Sequence, residues 1–269
     1  MKLTYLGIIG VLLLVSVSLF AGGAQESESN ELVVGMELQY PPFEMSDTNG
    51  NPAGISVEIA KALGEYLERP VKIENIAWTG LIPSLQTGKA DIIISSMTIT
   101  EERAEVVDFS DPYIKSGLTL LISKDSPVNE FNDLNREGRI VAVKSGTIGA
   151  RIAQEQLTNA AVRLFDEVAA CVLEVAQGKA DAFIYDVLTV YENHKNNSET
   201  TRINIQSIPG TDGYWGMAMK KGNDEFKDQV NTFISEFRAV GGFSDIADMY
   251  LGEQKSLFDD SGVPFFFDL

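Results

Sequence analysis

Leu81-Ile-Pro-Ser-Leu-Gln-Thr-Gly-Lys-Ala-Asp-Ile-Ile-Ile-Ser-Ser96 and Cys171-Val-Leu-Glu-Val-Ala-Gln-Gly-Lys-Ala-Asp-Ala-Phe-Ile-Tyr-Asp186 share Gly-Lys-Ala-Asp at identical offsets. Each stretch predicts a helix closed by a C-terminal glycine, a tight turn and a short buried strand. In this register Ser96 and Asp186 take equivalent places at the carboxyl ends of their strands, where open α/β sheets bind ligands. Two such units predict two lobes, each offering a polar strand end to a shared cleft.

Outward from the first copy, the pattern predicts a strand over Leu32–Met36, a non-helical Tyr40-Pro-Pro-Phe43 and a turn at Asp47-Thr-Asn-Gly50. A helix runs from Ile55 to Leu67 and stops before Pro70. A strand over Val71–Ala77 leads to a helix capped by Thr79, with Pro83 in its first turn, and a strand over Asp91–Ser95. This β-α-β-α-β order implies a parallel sheet with crossover helices. Around the second copy, strands are predicted at Arg139–Val143, Val162–Phe165, Ala182–Ile184 and Ile203–Ile208. Helices lie between them at Ile148–Leu157, Asp166–Gln177 and from Val187 to about His194. A strand over Tyr214–Lys220 follows, then an amphipathic helix carrying Phe226, Val230, Phe233, Ile234 and Phe237 that ends at Gly241-Gly242. Phe243–Leu251 is a last short helix. The chain leaves the first lobe near Tyr113–Gly117 and returns near Gly210–Tyr214, and two crossings make a hinge. The expected organisation is a signal segment (1–24), a polar linker (25–30), lobe 1 (31–113 and 214–252), lobe 2 (114–213) and an aperiodic tail (253–269) that contains Phe265-Phe-Phe267.

The signal assignment rests on Lys2, the apolar run Leu6–Phe20 and the small residues Ala21-Gly-Gly-Ala24, with cleavage near Ala24. A permanent membrane anchor is the alternative, but about 15 apolar residues fall short of the ~20 that span a bilayer. The chain carries 21 lysines and arginines against 39 aspartates and glutamates, a formal charge of −18. Loss of residues 1–24, whose one charge is Lys2, would make it −19. Such a surface repels nucleic acid and anionic lipid. Cys171 is the single cysteine, so no internal disulfide forms, and its apolar neighbours predict a buried residue rather than a reactive thiol. His194 is the single histidine, at a polar helix end, and a zinc site would need more such ligands.

Three strand ends carry the candidate chemistry. After Ser95-Ser96, Thr100 can cap a short helix that holds Arg103. With the Thr98 hydroxyl, Arg103 can receive a carboxylate, or it can be a surface arginine paired with Glu101 or Glu105. Lys144-Ser-Gly-Thr147 ends one strand and opens a helix. Gly146 allows close backbone approach and Thr147 can donate, though a plain strand-to-helix turn reads the same way, and the motif is too short for a phosphate-cradling Walker loop. Asp186 follows an apolar strand, so its carboxylate needs a partner, either a ligand ammonium or its own helix N-terminus. Tyr40 and Trp78 end the first two strands and can be core or can flank a ligand side chain, where a cation would gain about 0.5–2 kcal/mol.

Tyr40-Pro-Pro-Phe-Glu44, Gly54-Ile-Ser-Val-Glu58, Trp78-Thr-Gly-Leu-Ile-Pro-Ser-Leu85, Ser96-Met-Thr-Ile-Thr-Glu-Glu-Arg103, Asp108-Phe-Ser-Asp-Pro-Tyr113 and Val143-Lys-Ser-Gly-Thr147 occur in this order. Together they resemble the periplasmic polar amino-acid-binding proteins of ABC importers, family 3 of the solute-binding proteins, from about Leu32 to Leu251. The resemblance implies an α/β, two-lobed periplasmic-binding-protein fold of type II. Each lobe would be a mostly parallel sheet flanked by helices, joined through a two-crossover hinge. By it, Arg103, Thr98 and Thr147 would hold an α-carboxylate, and Asp186 and the Ser96 carbonyl an α-ammonium. Tyr40 and Trp78 would enclose the side chain, Glu37 and Lys144 would tune recognition of its head group, and Met97 would also line the ligand. It further implies a periplasmic monomer that works without cofactor or metal and delivers its ligand to a membrane-embedded ABC permease. Glutamine is the first expectation for the ligand, because Lys144 disfavours a cationic side chain, with arginine, lysine or histidine next. A secreted dehydratase acting on prephenate or arogenate uses the same scaffold, but chemistry needs an acid–base pair and Glu37 has no recognisable partner. A ligand-sensing module docked to a separate receptor is a third reading.

Overall fold

The computed structural model describes residues 30–261. The signal segment, its cleavage site and the Phe265–Phe267 run lie outside them. In chain order the elements begin with β1 (Leu32–Met36), β2 (Gln39–Tyr40), β3 (Glu44–Ser46), β4 (Pro52–Ala53), α1 (Ile55–Tyr66), β5 (Val71–Asn75), α2 (Leu81–Gln86) and β6 (Ile92–Ile93). They continue with α3 (Glu101–Ala104), β7 (Val107–Phe109), β8 (Ile114–Ser116), β9 (Leu118–Ser123), β10 (Ile140–Lys144), α4 (Ile148–Gln156), β11 (Ala161–Phe165) and α5 (Val168–Ala176). The last are β12 (Ala182–Asp186), α6 (Val187–Asn196), β13 (Thr201–Asn204), β14 (Gly213–Trp215), β15 (Ala218–Lys220), α7 (Asp224–Ala239) and α8 (Gly242–Ser261).

The strands build two five-stranded sheets of the same design, ordered β5-β1-β6-β15-β7 and β11-β10-β12-β9-β13. In each, the first three strands are parallel and the fourth runs antiparallel to its neighbours. The repeated Gly-Lys-Ala-Asp explains the likeness in physical terms. Gly88 and Gly178 take φ of +73° and +68°, the left-handed values that end a helix. Each aspartate then leads into the central strand, β6 or β12, beside β1 or β10. Asp91 accepts from the Val33 amide through Oδ2 (2.9 Å) and returns its own amide to the Val33 carbonyl (2.9 Å). Asp181 does the same with Ile140, at 2.8 and 2.7 Å. A short carboxylate here satisfies an amide at the start of β1 and of β10.

Several expectations need correction. Thr79 does not cap α2: it lies within a 3₁₀ turn, Trp78–Gly80, and Gly80 precedes the helix. The strand placed at Ile203–Ile208 sits at Thr201–Asn204, because the Asn204 side chain accepts from the Gln206 amide (2.9 Å) and turns the chain away. Tyr214–Lys220 divides in two. Trp215 pairs with β8 and bridges Thr98, the Gly216 amide bonds the Met97 carbonyl, and Ala218 starts a strand of the first sheet. The β9 strand and the small β2-β3-β4 sheet carry no separate sequence signal. Helix continues through Ser261 after a non-helical break at Leu251, so the tail is helical over its first part.

Antiparallel pairing of β8 with β14 links the two sheets through adjacent strands. Helices α7 and α8 cover the first sheet, where Phe226, Val230, Phe233, Phe243 and Leu251 join the core of Leu32, Val34, Ile59 and Leu63. Against the second sheet pack Ile152 and Ala153 of α4 on one side and Val172 and Val175 of α5 on the other. Cys171 is fully buried in that second layer, and burial pushes its thiol up to about 12. His194 sits in the last turn of α6, with Nδ1 3.0 Å from the Thr201 hydroxyl.

Gly64, in the last turns of α1, marks the closest helix-to-loop approach. A methyl group there would lie 2.8 Å from the Arg69 carbonyl oxygen and closer still to Val71. Gly64→Ala is therefore expected to destabilise the protein by about 1–3 kcal/mol, although alanine favours helix by about 1 kcal/mol. Urea unfolding with an unchanged or raised midpoint would contradict this packing.

Candidate functional site

The carboxyl ends of β1, β6, β10 and β12 open on one crevice, about 530 Å³ of space that is continuous with solvent. Its two poles come from different sheets. Arg103 projects from α3, where the Thr100 hydroxyl accepts from the Arg103 amide (3.2 Å) and caps the turn. Its guanidinium donates to the Thr98 carbonyl (2.8 Å) and to the Gly146 carbonyl of the other sheet's loop (3.2 Å). Among the described residues no carboxylate pairs with it, so the pairing with Glu101 or Glu105 does not form. Burial lowers its pKa to about 10.

Asp186 forms the opposite pole and is 3% exposed. One oxygen caps α6 by accepting from the Thr189 amide (3.0 Å), while the other, among the described residues, has no hydrogen-bond partner. Both readings of this residue stay open: it is an N-cap, and it borders the crevice with a second, buried oxygen beside the Tyr40 hydroxyl. Burial raises its pKa, offset in part by Thr189 and the nearby Tyr40 hydroxyl.

Thr98, Thr147, Ser96, Tyr40, Trp78 and Glu37 also line this crevice. Thr147 caps α4, accepting from the Ala150 amide (3.2 Å) and directing its hydroxyl at the Lys144 carbonyl (2.7 Å). Tyr40 stacks on Phe43 at 5.3 Å and meets Tyr185 edge-on at 5.8 Å. The Trp78 ring is engaged by the protein itself: the Arg103 guanidinium lies 5.4 Å from its centroid, and its indole N–H donates to the Gly146 carbonyl (3.0 Å). Two of the expected residues sit elsewhere. Met97 is 2% exposed and packs in the core with Ile93 and Phe109, after the left-handed turn of the backbone at Ser96. Lys144, also 2% exposed, lies behind the lining and forms an ion pair with Glu37 from the opposite sheet. Glu37 spends its other oxygen on the Trp78 amide (3.1 Å). The two charges neutralise each other, so neither presents a free charge to a side chain.

The sequence reading gave no role to Tyr185, Trp215 or Glu44, all of which line the crevice. Glu44 faces Tyr40 across the β2-β3 hairpin. It is 1% exposed and accepts from the hydroxyls of Ser56 (2.6 Å), Ser96 (3.0 Å) and Ser95 (3.3 Å). Burial raises its pKa to about 8 despite these bonds. The available signal was a glutamate directly after Tyr40-Pro-Pro-Phe43, a charged residue following an aromatic turn.

An α/β protein with two like sheets, a paired double crossing and one crevice between opposed charges is built to hold a small dipolar molecule between lobes. The chain belongs to the bacterial extracellular solute-binding proteins, family 3, whose pattern matches residues 32–253. Its fold is that of the type II periplasmic binding proteins. It is 28% identical over 265 residues to the L-cystine-binding protein TcyJ of Escherichia coli (strain K12), covering 94% of this chain and 98% of that one. An ancestral arginine-binding protein bound to glutamine superposes with a TM-score of 0.76 at 31% identity, over 83% of this chain and 98% of the other. An ancestral amino acid-binding protein, AncCDT-1, described as a precursor of cyclohexadienyl dehydratase, gives 0.75 at 35%, over 82% and 95%.

Glu44 gives stability a pH dependence whose sign follows from its raised pKa. The unfolded carboxyl titrates near about 4.3, the folded one near 8. Its contribution is complete below the lower value and is lost as pH rises through the upper one. Melting temperatures measured from pH 5 to 8 are expected to fall less steeply in Glu44→Gln than in the wild type. Equal slopes would contradict the assignment.

Proposed function

We propose that this chain captures one polar L-amino acid between its lobes and hands it to an ABC permease. The reading is carried by one observation: Arg103 without a carboxylate partner and Asp186 with an unspent oxygen border the same crevice from different sheets. An α-amino acid offers the complementary charges on one carbon. Because each end meets a different lobe, the ligand's differential affinity favours closure. Thr98 and Thr147 would assist at the carboxylate, Ser96 at the ammonium, and Tyr40 and Trp78 beside the side chain. The protein works outside the cytoplasmic membrane, as a monomer, after a signal segment is removed near Ala24.

Glutamine is the ligand we favour. The Glu37–Lys144 pair is neutral overall yet rich in donors and acceptors, which suits a carboxamide better than a second ammonium or a guanidinium. A basic side chain would have to displace Lys144 from Glu37. We also propose that the protein is a binder and not a dehydratase, since Glu37 is committed to Lys144 and Trp78.

Two experiments test this. Arg103→Ala is expected to abolish amino-acid binding by calorimetry while preserving the melting curve of the empty protein; undiminished affinity would refute the site. Lys144→Met strands Glu37 as a buried unpaired charge, which typically costs about 3–5 kcal/mol. Arginine or lysine should restore much of the lost melting temperature in that variant, and glutamine should not. The reverse order would refute the specificity argument.

A further inference from the structure

Glu44 is buried, borders the crevice and holds no ion pair among the described residues. Its oxygens collect hydroxyls from two directions: Ser56 at the start of α1, and Ser95 and Ser96 at the end of β6. The Ser95 hydroxyl also accepts from the Glu37 amide (3.0 Å), tying the end of β1 into the same group. Ser96 takes a φ of +51°, a left-handed value that costs a non-glycine residue of order 1–3 kcal/mol unless its surroundings hold it. The bond to Glu44 is part of what holds it.

We infer that Glu44 is a positioning residue for amino-group recognition: it fixes the Ser96 corner and places a second carboxyl on the lining of the crevice that Asp186 borders. The inference rests on the amino-acid reading of the site. It explains why a carboxyl is kept in a sealed pocket where a neutral amide would close the same hydroxyl network. A carboxyl alone can change charge when a cation arrives.

The groups facing Glu44 are few. Glu37, its nearest charge, is paired with Lys144, and the phenols of Tyr113 and Tyr185 are pushed up by burial. Tyr40, whose phenol is likewise pushed up by burial, pairs with it across the β2-β3 hairpin, and the three serine hydroxyls bond it. Asp186 and Arg103 share the crevice. With its carboxyl titrating near 8, Glu44 is protonated in the empty site at pH 7. An entering ammonium favours the ionised form, so the carboxyl gives its proton to solvent and the bound complex keeps the carboxylate.

Calorimetry in buffers of different ionisation enthalpy reads this directly, with L-glutamine and its α-hydroxy analogue as probes at pH 7. The wild type should release a proton with glutamine and none with the hydroxy acid. Glu44→Gln should release less with glutamine and bind it about tenfold more weakly, with the hydroxy acid unchanged. Equal weakening of both ligands would mean a structural role only, and undiminished proton release in the variant would assign the proton to another group; either overturns the inference. If Glu44→Gln does not fold, Ser56→Ala serves, since it removes a hydroxyl that lowers the Glu44 pKa without touching the crevice. The pH at which release ceases should then move upward, and an unmoved midpoint overturns the inference. Failure of the wild type to bind any amino acid would instead refute the proposed function itself.

Discussion

A carboxylate sealed from water retains a strong demand for donors, and Asp186 is sealed with half of that demand unmet. Leaving an acceptor of this kind unanswered costs about 1–3 kcal/mol or more. The rest of the crevice is arranged around that cost. Helix α6 takes one oxygen, which fixes the side chain's direction, and the other stays buried at the edge of the crevice that Arg103 also lines. The arginine is likewise held by two carbonyls rather than by a counter-charge. Each lobe thus carries an electrostatic deficit that a zwitterion can remove for both lobes at once.

The two sheets reach this arrangement by the same local device. In each, the aspartate of Gly-Lys-Ala-Asp bonds the neighbouring strand, β1 or β10, near its start, and five positions later the chain emerges at the opposite end of the sheet with Ser96 or Asp186. The duplication was legible because every part of it is local: a helix end, a left-handed glycine, an aspartate and a strand. The caps at Thr100, Thr147 and Asp186 were legible for the same reason. What depended on distant partners was not. Lys144 meets Glu37 across 107 positions, and Trp78 meets Gly146 across 68. No periodicity encodes such meetings. Met97 stands between Ser96 and Thr98 in sequence, yet it packs into the core after a left-handed turn at Ser96 that no residue pattern announces. Strand β9 went unseen because a short apolar run has no period that separates it from other buried segments.

The ion pair of Glu37 with Lys144 changes how the charges of the site are counted. Read separately, the acid points to a basic ligand and the lysine to a neutral one. Joined, they form a single polar wall without net charge, and burial of both partners makes that wall stiff. Specificity then depends on whether a side chain can bond to the pair without breaking it. Matching one isolated charge is no longer the criterion.

Gly146 takes a φ of +71°, and its carbonyl receives both the Trp78 indole and the Arg103 guanidinium from the facing lobe. A Cβ at this position would stand 3.3 Å from the indole. These bonds join protein to protein, so they contribute the same free energy whatever residue occupies the crevice. Grip and choice are therefore divided between different parts of the molecule. The glycine clasp raises affinity for every guest that lets the jaws meet, and discrimination among guests is left to the few atoms that touch their side chains. A scaffold divided in this way can change its cargo by altering those few atoms while its clasp stays as it is.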